Sequence, residues 1–177
     1  MTNINATALT YFEKELKGIQ DASLQAFFYN ALAVAPQSFH DDTDLQEHVK
    51  TAYHILRGLL DQRGVKGTVR DALVGTTLLC DIMQNEFEED MRPLHTVAVR
   101  KYLEKLEVQK DVNQGLWENV MRAVESHHGA EGASPLLDAK PGTAEYELAQ
   151  AFSIARLGYV KLDWEAIYEE GKAKEEN

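Results

Sequence analysis

Apolar residues recur at helical spacing along most of the chain. The pattern predicts short helices over about 5–17 and 22–34, with Pro36 ending the second, and a longer helix beginning at Thr43. Later periodic stretches predict further helices over about 68–83, 93–106, 115–128, 143–158 and 163–172. Alternation of β-branched residues between turn signals, which would indicate strands, is absent from the sequence. The expected fold class is therefore all-α: one domain over residues 1–177, built as a bundle of about seven helices.

The helix that begins near Thr43 has the clearest apolar stripe. Thr43, with Gln46 three residues later, has the pattern of a capping box. The stripe consists of Leu45, Val49, Ala52, Leu56, Leu59 and Leu60. At about 100° per residue, His48 falls about 60° from the centre of the stripe, while His54 falls on the opposite side. We therefore expect His48 at the rim of the core, and an exposed His54 that is not a metal ligand.

Several residues with metal-ligating side chains lie near the ends of later helices. Asp81 follows the most apolar stretch of the chain, where an ionised carboxylate is costly unless it is paired, hydrogen-bonded or bound to a metal. His95 lies in the first turn of the helix that Pro93 is expected to start. The adjacent pair His127 and His128 closes the following amphipathic helix. Imidazole and carboxylate are ligands of Zn, Mn and Fe, so these residues are candidates for one metal site.

Composition and charge narrow the classes of partner. The chain has 177 residues, of which 44% are hydrophobic and 27% are charged, as in an ordinary globular domain. Its net charge of −11 disfavours binding to a nucleic-acid polymer. A small phosphorylated ligand remains possible, because a bound metal reverses the sign of charge locally. The sequence leaves a homo-oligomer possible.

Three further features bear on localisation. No apolar run approaches the roughly 20 residues of a membrane span, so we expect no membrane association. The N-terminal residues lack the basic start and apolar segment of a secretory signal. The single cysteine, Cys80, excludes an internal disulfide and fits a reducing compartment. We therefore expect a cytoplasmic protein.

Four segments in order resemble the HD-domain superfamily of metal-dependent phosphohydrolases, with the histidine pattern of its phosphodiesterase-like members. They read QEHVKTAYHILRGLL, ALVGTTLLCDIMQ, PLHTVAVRKYLEKL and VMRAVESHHG. The resemblance covers residues 44–158; the N-terminal helices of 1–36 precede it, and a C-terminal helix with an acidic tail, 163–177, follows it. His48 matches the lone histidine of the first core helix and Asp81 the metal-bridging aspartate. His95 matches the additional histidine, and His127 with His128 matches the histidine pair.

This resemblance implies an HD-like helical scaffold and a metal site made of His48, Asp81, His95, His127 and His128. It also implies a divalent cofactor, one or two ions of Mn, Fe, Zn or Mg. The implied activity is hydrolysis of a phosphoester in a small nucleotide or cyclic nucleotide. Asp81 and His48 would be the catalytic residues, His48 either as a ligand of a second ion or as a proton donor.

The chain departs from the family pattern at two positions. Cys80 stands where the family has histidine; its thiolate could bind Zn or Fe, or the position could simply be apolar. The final aspartate of the family is missing from the helix over 143–158, where Ser153 or Arg156 falls near the expected place. Glu145 and Glu147 come earlier in that helix.

Because of these two departures from the family pattern, two other hypotheses about function stay open. One is a degenerate HD domain that binds a nucleotide or a protein partner without turnover. Another is a helical interaction protein whose histidines are incidental. The His40–Asp41 dipeptide follows Pro36 in a polar stretch, and we expect it to lie in a loop rather than in the site.

Overall fold

The computed structural model describes residues 6–128 and 140–157, and all the regular secondary structure within these ranges is helical. Nine α-helices lie there: α1 (Ala6–Tyr11), α2 (Glu13–Lys17), α3 (Ala22–Ala33), α4 (Gln37–His40), α5 (Thr43–Gln62), α6 (Gly67–Cys80), α7 (His95–Lys105), α8 (Gln114–Ser126) and α9 (Ala144–Leu157). Short 3₁₀ turns occupy Gln84–Glu86, Glu89–Leu94 and Val108–Asp111. The all-α prediction is confirmed. The predicted helix over 163–172, with the acidic tail, lies outside the described residues.

The first third of the chain differs from the predicted elements in two places. The single helix expected over 5–17 is divided into α1 and α2 around the buried Phe12. His40 was predicted to lie in a loop, and that prediction is wrong. His40 is the last residue of the short helix α4 and is buried, because the adjacent Phe39 stacks against Phe12 and draws this turn into the core.

The N-cap residue of α5 differs from the prediction by one position. Asp42, not Thr43, is the N-cap: its carboxylate accepts a hydrogen bond from the backbone N–H of Leu45 at 2.9 Å. Gln46 takes no part in a capping box. It is buried, and its side-chain amide donates to the carbonyl oxygens of Phe39 and His40, which fixes α4 against α5.

α5 and α6 are the central helices of the core. α5 packs against α6 and α9, while α6 also contacts α3 and α8, and α7 lies against α8. The close approach of α3 to α6 depends on Gly75, since a Cβ at this position would lie 2.0 Å from an atom of the Phe28 ring. This arrangement surrounds the C-terminal end of α6 with four other helices.

Helix ends, rather than helix middles, carry the candidate ligands. α6 ends at Cys80, so Asp81 is its C-cap residue; His95 is the first residue of α7; and α8 ends at Ser126, immediately before His127. The predicted helices over 68–83 and 115–128 ran two or three residues too far. Across 6–128 and 140–157, each helix is too short or too polar to cross a lipid bilayer.

Candidate metal centre

Asp81 is the centre of the candidate site. The last turn of α6 is fully buried and ends with Leu79 and Cys80, so the residue that follows enters the core by continuity of the chain. The side chain of Asp81 is 2% exposed. A charge in such a place persists only with specific partners, because desolvation of an isolated carboxylate costs many kcal/mol.

Two histidines face one oxygen of this carboxylate. The Nε2 atoms of His95 and His127 lie 3.0 Å and 3.2 Å from Asp81 Oδ1, and both rings are buried. His95 comes from the start of α7 and His127 from the end of α8. Two histidines and one carboxylate from three different helices therefore meet at one point in the core.

The other nitrogens of the two rings determine which tautomer faces Asp81. His95 Nδ1 lies 2.5 Å from the carbonyl oxygen of Arg92, and His127 Nδ1 lies 2.6 Å from that of Val124. A carbonyl oxygen can only accept a hydrogen bond, so each Nδ1 must carry the proton. In the neutral rings, each Nε2 then presents a lone pair toward the carboxylate. This is the tautomer that binds a metal, with the backbone contact orienting the ring.

His128 completes the set. Its ring is half-buried and lies with centroid distances of 5.0 Å from His95 and 4.5 Å from His127. One ligand atom from each of Asp81, His95, His127 and His128 lies within 4.8 Å of the others. Two atoms bound to one ion lie at most about 4.2 Å apart, twice a bond length of about 2.1 Å. The widest pair, at up to 4.8 Å, would have to close by at least about 0.6 Å for the four atoms to share one ion. The closure would be about 1.4 Å for a tetrahedral ion, whose ligands lie about 3.4 Å apart.

The charge state of Asp81 suits a ligand of a metal cation. Burial by itself raises the pKa of the Asp81 carboxyl. In the metal-free site, with Nε2 of His127 and His95 protonated as well, the hydrogen bonds and charges of these rings outweigh burial and hold the pKa well below its usual range. The carboxylate is therefore ionised at neutral pH. Its second oxygen, Oδ2, is buried and has no hydrogen-bond partner among the described residues. A buried carboxylate oxygen in this state is a ready acceptor for a cation.

His48 lies beside this second oxygen but is not part of the set of four. Its Nε2 is 3.8 Å from Asp81 Oδ2, which is beyond hydrogen-bonding distance. Its side chain is 11% exposed, at the rim of the core as the helical periodicity predicted. His54 is 54% exposed and pairs with Glu15, away from Asp81, which agrees with its predicted exclusion from the site.

Phe152 is a residue of the site that sequence reasoning missed. Its ring is buried and lies 5.6 Å from the ring of His48 and 4.8 Å from that of His127, measured between centroids. The signal for it was available, because α9 buries residues at i, i+3, i+4 and i+7 spacing. These residues are Leu148, Ala151, Phe152 and Ala155.

Cys80 lies next to Asp81 in sequence but is not among the four clustered residues. Its thiol donates a hydrogen bond to the carbonyl oxygen of Thr76, one turn earlier in α6, at 3.4 Å. Burial, and then the charge of Asp81, raise the pKa of the Cys80 thiol well above its usual value. The position therefore holds a protonated thiol with a backbone partner, which corresponds to the apolar alternative for Cys80.

Three of the residues considered as replacements for the missing aspartate have described side chains, and these three do not join the cluster. Ser153 is exposed on α9. Glu147 is buried and pairs with Arg63, while Glu145 lies 3.3 Å from the guanidinium of Arg122. The side chain of Arg156 lies outside the described part of the chain.

Most of the cations that could approach a phosphate are already paired. Arg100 binds Glu118 and Glu125, and Lys50 donates to the carbonyl oxygen of Tyr11. Arg92 is exposed in the turn before His95, and no ion pair of its side chain occurs within the described ranges. Since its own carbonyl accepts from His95, Arg92 is tied through the backbone to the metal centre.

Comparison of the chain with protein-family models, with curated proteins and with solved structures finds no match. The described residues form an all-helical core, in which one aspartate and three histidines make a largely buried cluster that could hold a metal ion.

Proposed function

We propose that this chain is a metal-dependent phosphohydrolase with an HD-like scaffold, which cleaves a phosphoester in a small nucleotide or cyclic nucleotide. The observation that carries the proposal is the tautomer of His95 and His127. In both rings, Nδ1–H donates a hydrogen bond to a backbone carbonyl oxygen and Nε2 faces Asp81 Oδ1. Two lone pairs facing an ionised carboxylate repel one another unless a cation lies between them or both rings carry a second proton.

The donor set fits a divalent transition metal. Three imidazole nitrogens and one carboxylate oxygen suit Zn, Fe or Mn better than Mg, which prefers oxygen ligands and keeps several waters. Bound here, such an ion would supply Lewis-acid activation of water and neutralisation of phosphate charge. Asp81, His95, His127 and His128 would hold it.

The surrounding residues supply the other functions of a hydrolase in this proposal. His48 lies 3.8 Å from the unpartnered oxygen of Asp81, at the partly open rim, where its Nε2 can hold a proton for a leaving oxygen. Arg92 adds an exposed positive charge next to the ligand His95. The net charge of −11 repels long polyanions, so the substrate class that fits is a small phosphoester.

A coupled measurement of metal content and turnover tests the proposal. The chain is purified without chelator or histidine tag, and the metal content is measured together with hydrolysis of a generic phosphodiester and a panel of linear and cyclic nucleotides. Asp81→Asn and His128→Gln should lose both the ion and the activity. His54→Gln is the matched control, because His54 is a histidine of the same chain outside the cluster; it should retain both. Activity that persists in the first two variants would refute the proposal.

A second candidate function is ligand binding without turnover, by a degenerate HD domain. It is favoured by the hydrogen-bonded thiol of Cys80 and by the aromatic ring of Phe152 beside His48. Four protein ligands also fill a tetrahedral coordination sphere, which leaves no open position for a reacting group. A bound ion without turnover in the presence of Mn²⁺, Fe²⁺, Co²⁺ or Zn²⁺, combined with nucleotide binding, would favour this alternative.

A further inference from the structure

We propose that the site holds one transition-metal ion per chain, and that Phe152 closes the place where a second ion would bind. This inference rests on the proposed metal site and specifies its stoichiometry. It concerns the two oxygens of Asp81, which have different surroundings. Oδ1 faces His95 and His127, whereas the histidine beside Oδ2, in the part of the chain that the structure describes, is His48 at 3.8 Å.

Among the described residues, a second ion on the Oδ2 side would find two protein ligands at most. The separation of 3.8 Å between Oδ2 and His48 Nε2 is compatible with joint coordination, since ligands of one ion lie up to about 4.2 Å apart. Two ligands are too few for a resident ion, which takes at least four. The remainder would have to come from a third side chain or from ordered water.

In this proposal, Phe152 leaves the Oδ2 side of Asp81 without a third side-chain ligand and without room for ordered water. Its ring lies 5.6 Å from His48 and 4.8 Å from His127, on the face that α9 presents to these histidines. Aromatic carbon offers no lone pair to a cation, and the ring occupies volume that water ligands would need. Phe152 is 1% exposed, so it is fixed by packing in this place.

Cys80 and Glu147, two other buried residues with a ligating side chain, supply no further ligand on the Oδ2 side. The thiol of Cys80 points to the carbonyl of Thr76 within its own helix. Glu147, the buried carboxylate of α9, pairs with Arg63. Within residues 6–128 and 140–157, the complete donor set is therefore the one that includes His95 and His127, and it suits a single ion.

The test counts ions per chain and detects coupling between them. Wild type is titrated with Mn²⁺, the bound metal is quantified after gel filtration, and electron paramagnetic resonance distinguishes an isolated Mn²⁺ from an exchange-coupled pair. We expect one ion with an uncoupled spectrum. Phe152→Asp should gain a second ion and a coupled spectrum, whereas Phe152→Asn, of the same shape without the charge, should keep one.

The outcomes separate this inference from the proposed function. Two coupled ions in wild type would overturn the single-ion proposal while leaving phosphohydrolase activity possible. One ion in a folded Phe152→Asp variant would overturn the role given to Phe152. If Phe152→Asp does not fold, the wild-type count and spectrum still decide the stoichiometry. One ion in wild type without any turnover would refute the hydrolase and leave this inference standing; absence of a bound ion would overturn both.

Discussion

Replacing Asp81 by asparagine removes the charge at the centre of the candidate metal site while keeping the shape of the side chain. An amide nitrogen in the position of Oδ1 carries two hydrogens, which it can donate to Nε2 of His95 and of His127, now 3.0 and 3.2 Å away. We therefore expect the metal-free variant to fold, with a change in unfolding free energy of about 1 kcal/mol. Asp81→Ala removes those partners and should cost about 3–5 kcal/mol.

Wild type and Asp81→Asn should differ most in how much a bound metal raises their melting temperatures. An ion at about 100 times its dissociation constant stabilises the folded wild type by about 2.7 kcal/mol. A chain of this size gains about 2–4 °C in melting temperature per kcal/mol, so the wild type should shift upward by about 5–11 °C. Asp81→Asn should show almost no shift at the same concentration, because the anionic ligand at the centre of the set is gone.

Differential scanning calorimetry at neutral pH, with and without Mn²⁺, Co²⁺ or Zn²⁺, measures both effects. His54→Gln serves as the control and should keep the full wild-type shift, since His54 lies outside the cluster. The same metal-induced shift in Asp81→Asn as in wild type would contradict the role of the Asp81 charge. A wild-type melting temperature that none of the three ions raises would contradict the metal site itself.

Three further predictions concern the surroundings of the site. Gly75→Ala should destabilise the fold by about 1–3 kcal/mol in urea unfolding, because the new Cβ would lie 2.0 Å from the Phe28 ring; unchanged or increased stability would contradict the close packing of α3 and α6. Cys80→Ala should leave the ion count and affinity unchanged and cost about 1 kcal/mol of stability, whereas a lost ion would make the thiol a ligand. The pKa of Asp81 is lowered in the folded state, so its stabilising contribution is complete above the unfolded value of about 3.9 and is lost as pH falls from there through the folded value. Thermal unfolding of the metal-free protein from pH 5 to pH 2 should therefore be steeper for wild type than for Asp81→Asn, and equal slopes would contradict the lowered pKa.

Helix faces were predictable from sequence because they depend on local spacing alone. The stripe of α5 is buried except for the partly exposed Leu59, and His48 and His54 lie at the rim and outside, as the periodicity indicated. Helix boundaries were less predictable. Asp42 and Thr43 are adjacent and both can cap, and the backbone conformation decides between them. Phe152 and Ser153 differ by one position, about 100° on a helix, and only the packing of α9 against α5 places Phe152 toward His48.

The sequence by itself determined the helical class, the apolar faces and the chemical identity of the candidate ligands. These properties depend on residues within one or two helical turns of each other, so their pattern can be read along the chain. Tertiary structure decided that one ligand atom from each of Asp81, His95, His127 and His128 lies within 4.8 Å of the others. It also placed His48 Nε2 3.8 Å from Asp81 Oδ2, and the ring of Phe152 beside those of His48 and His127. Distances between residues on different helices follow from how the helices pack, and that information is spread over the whole core.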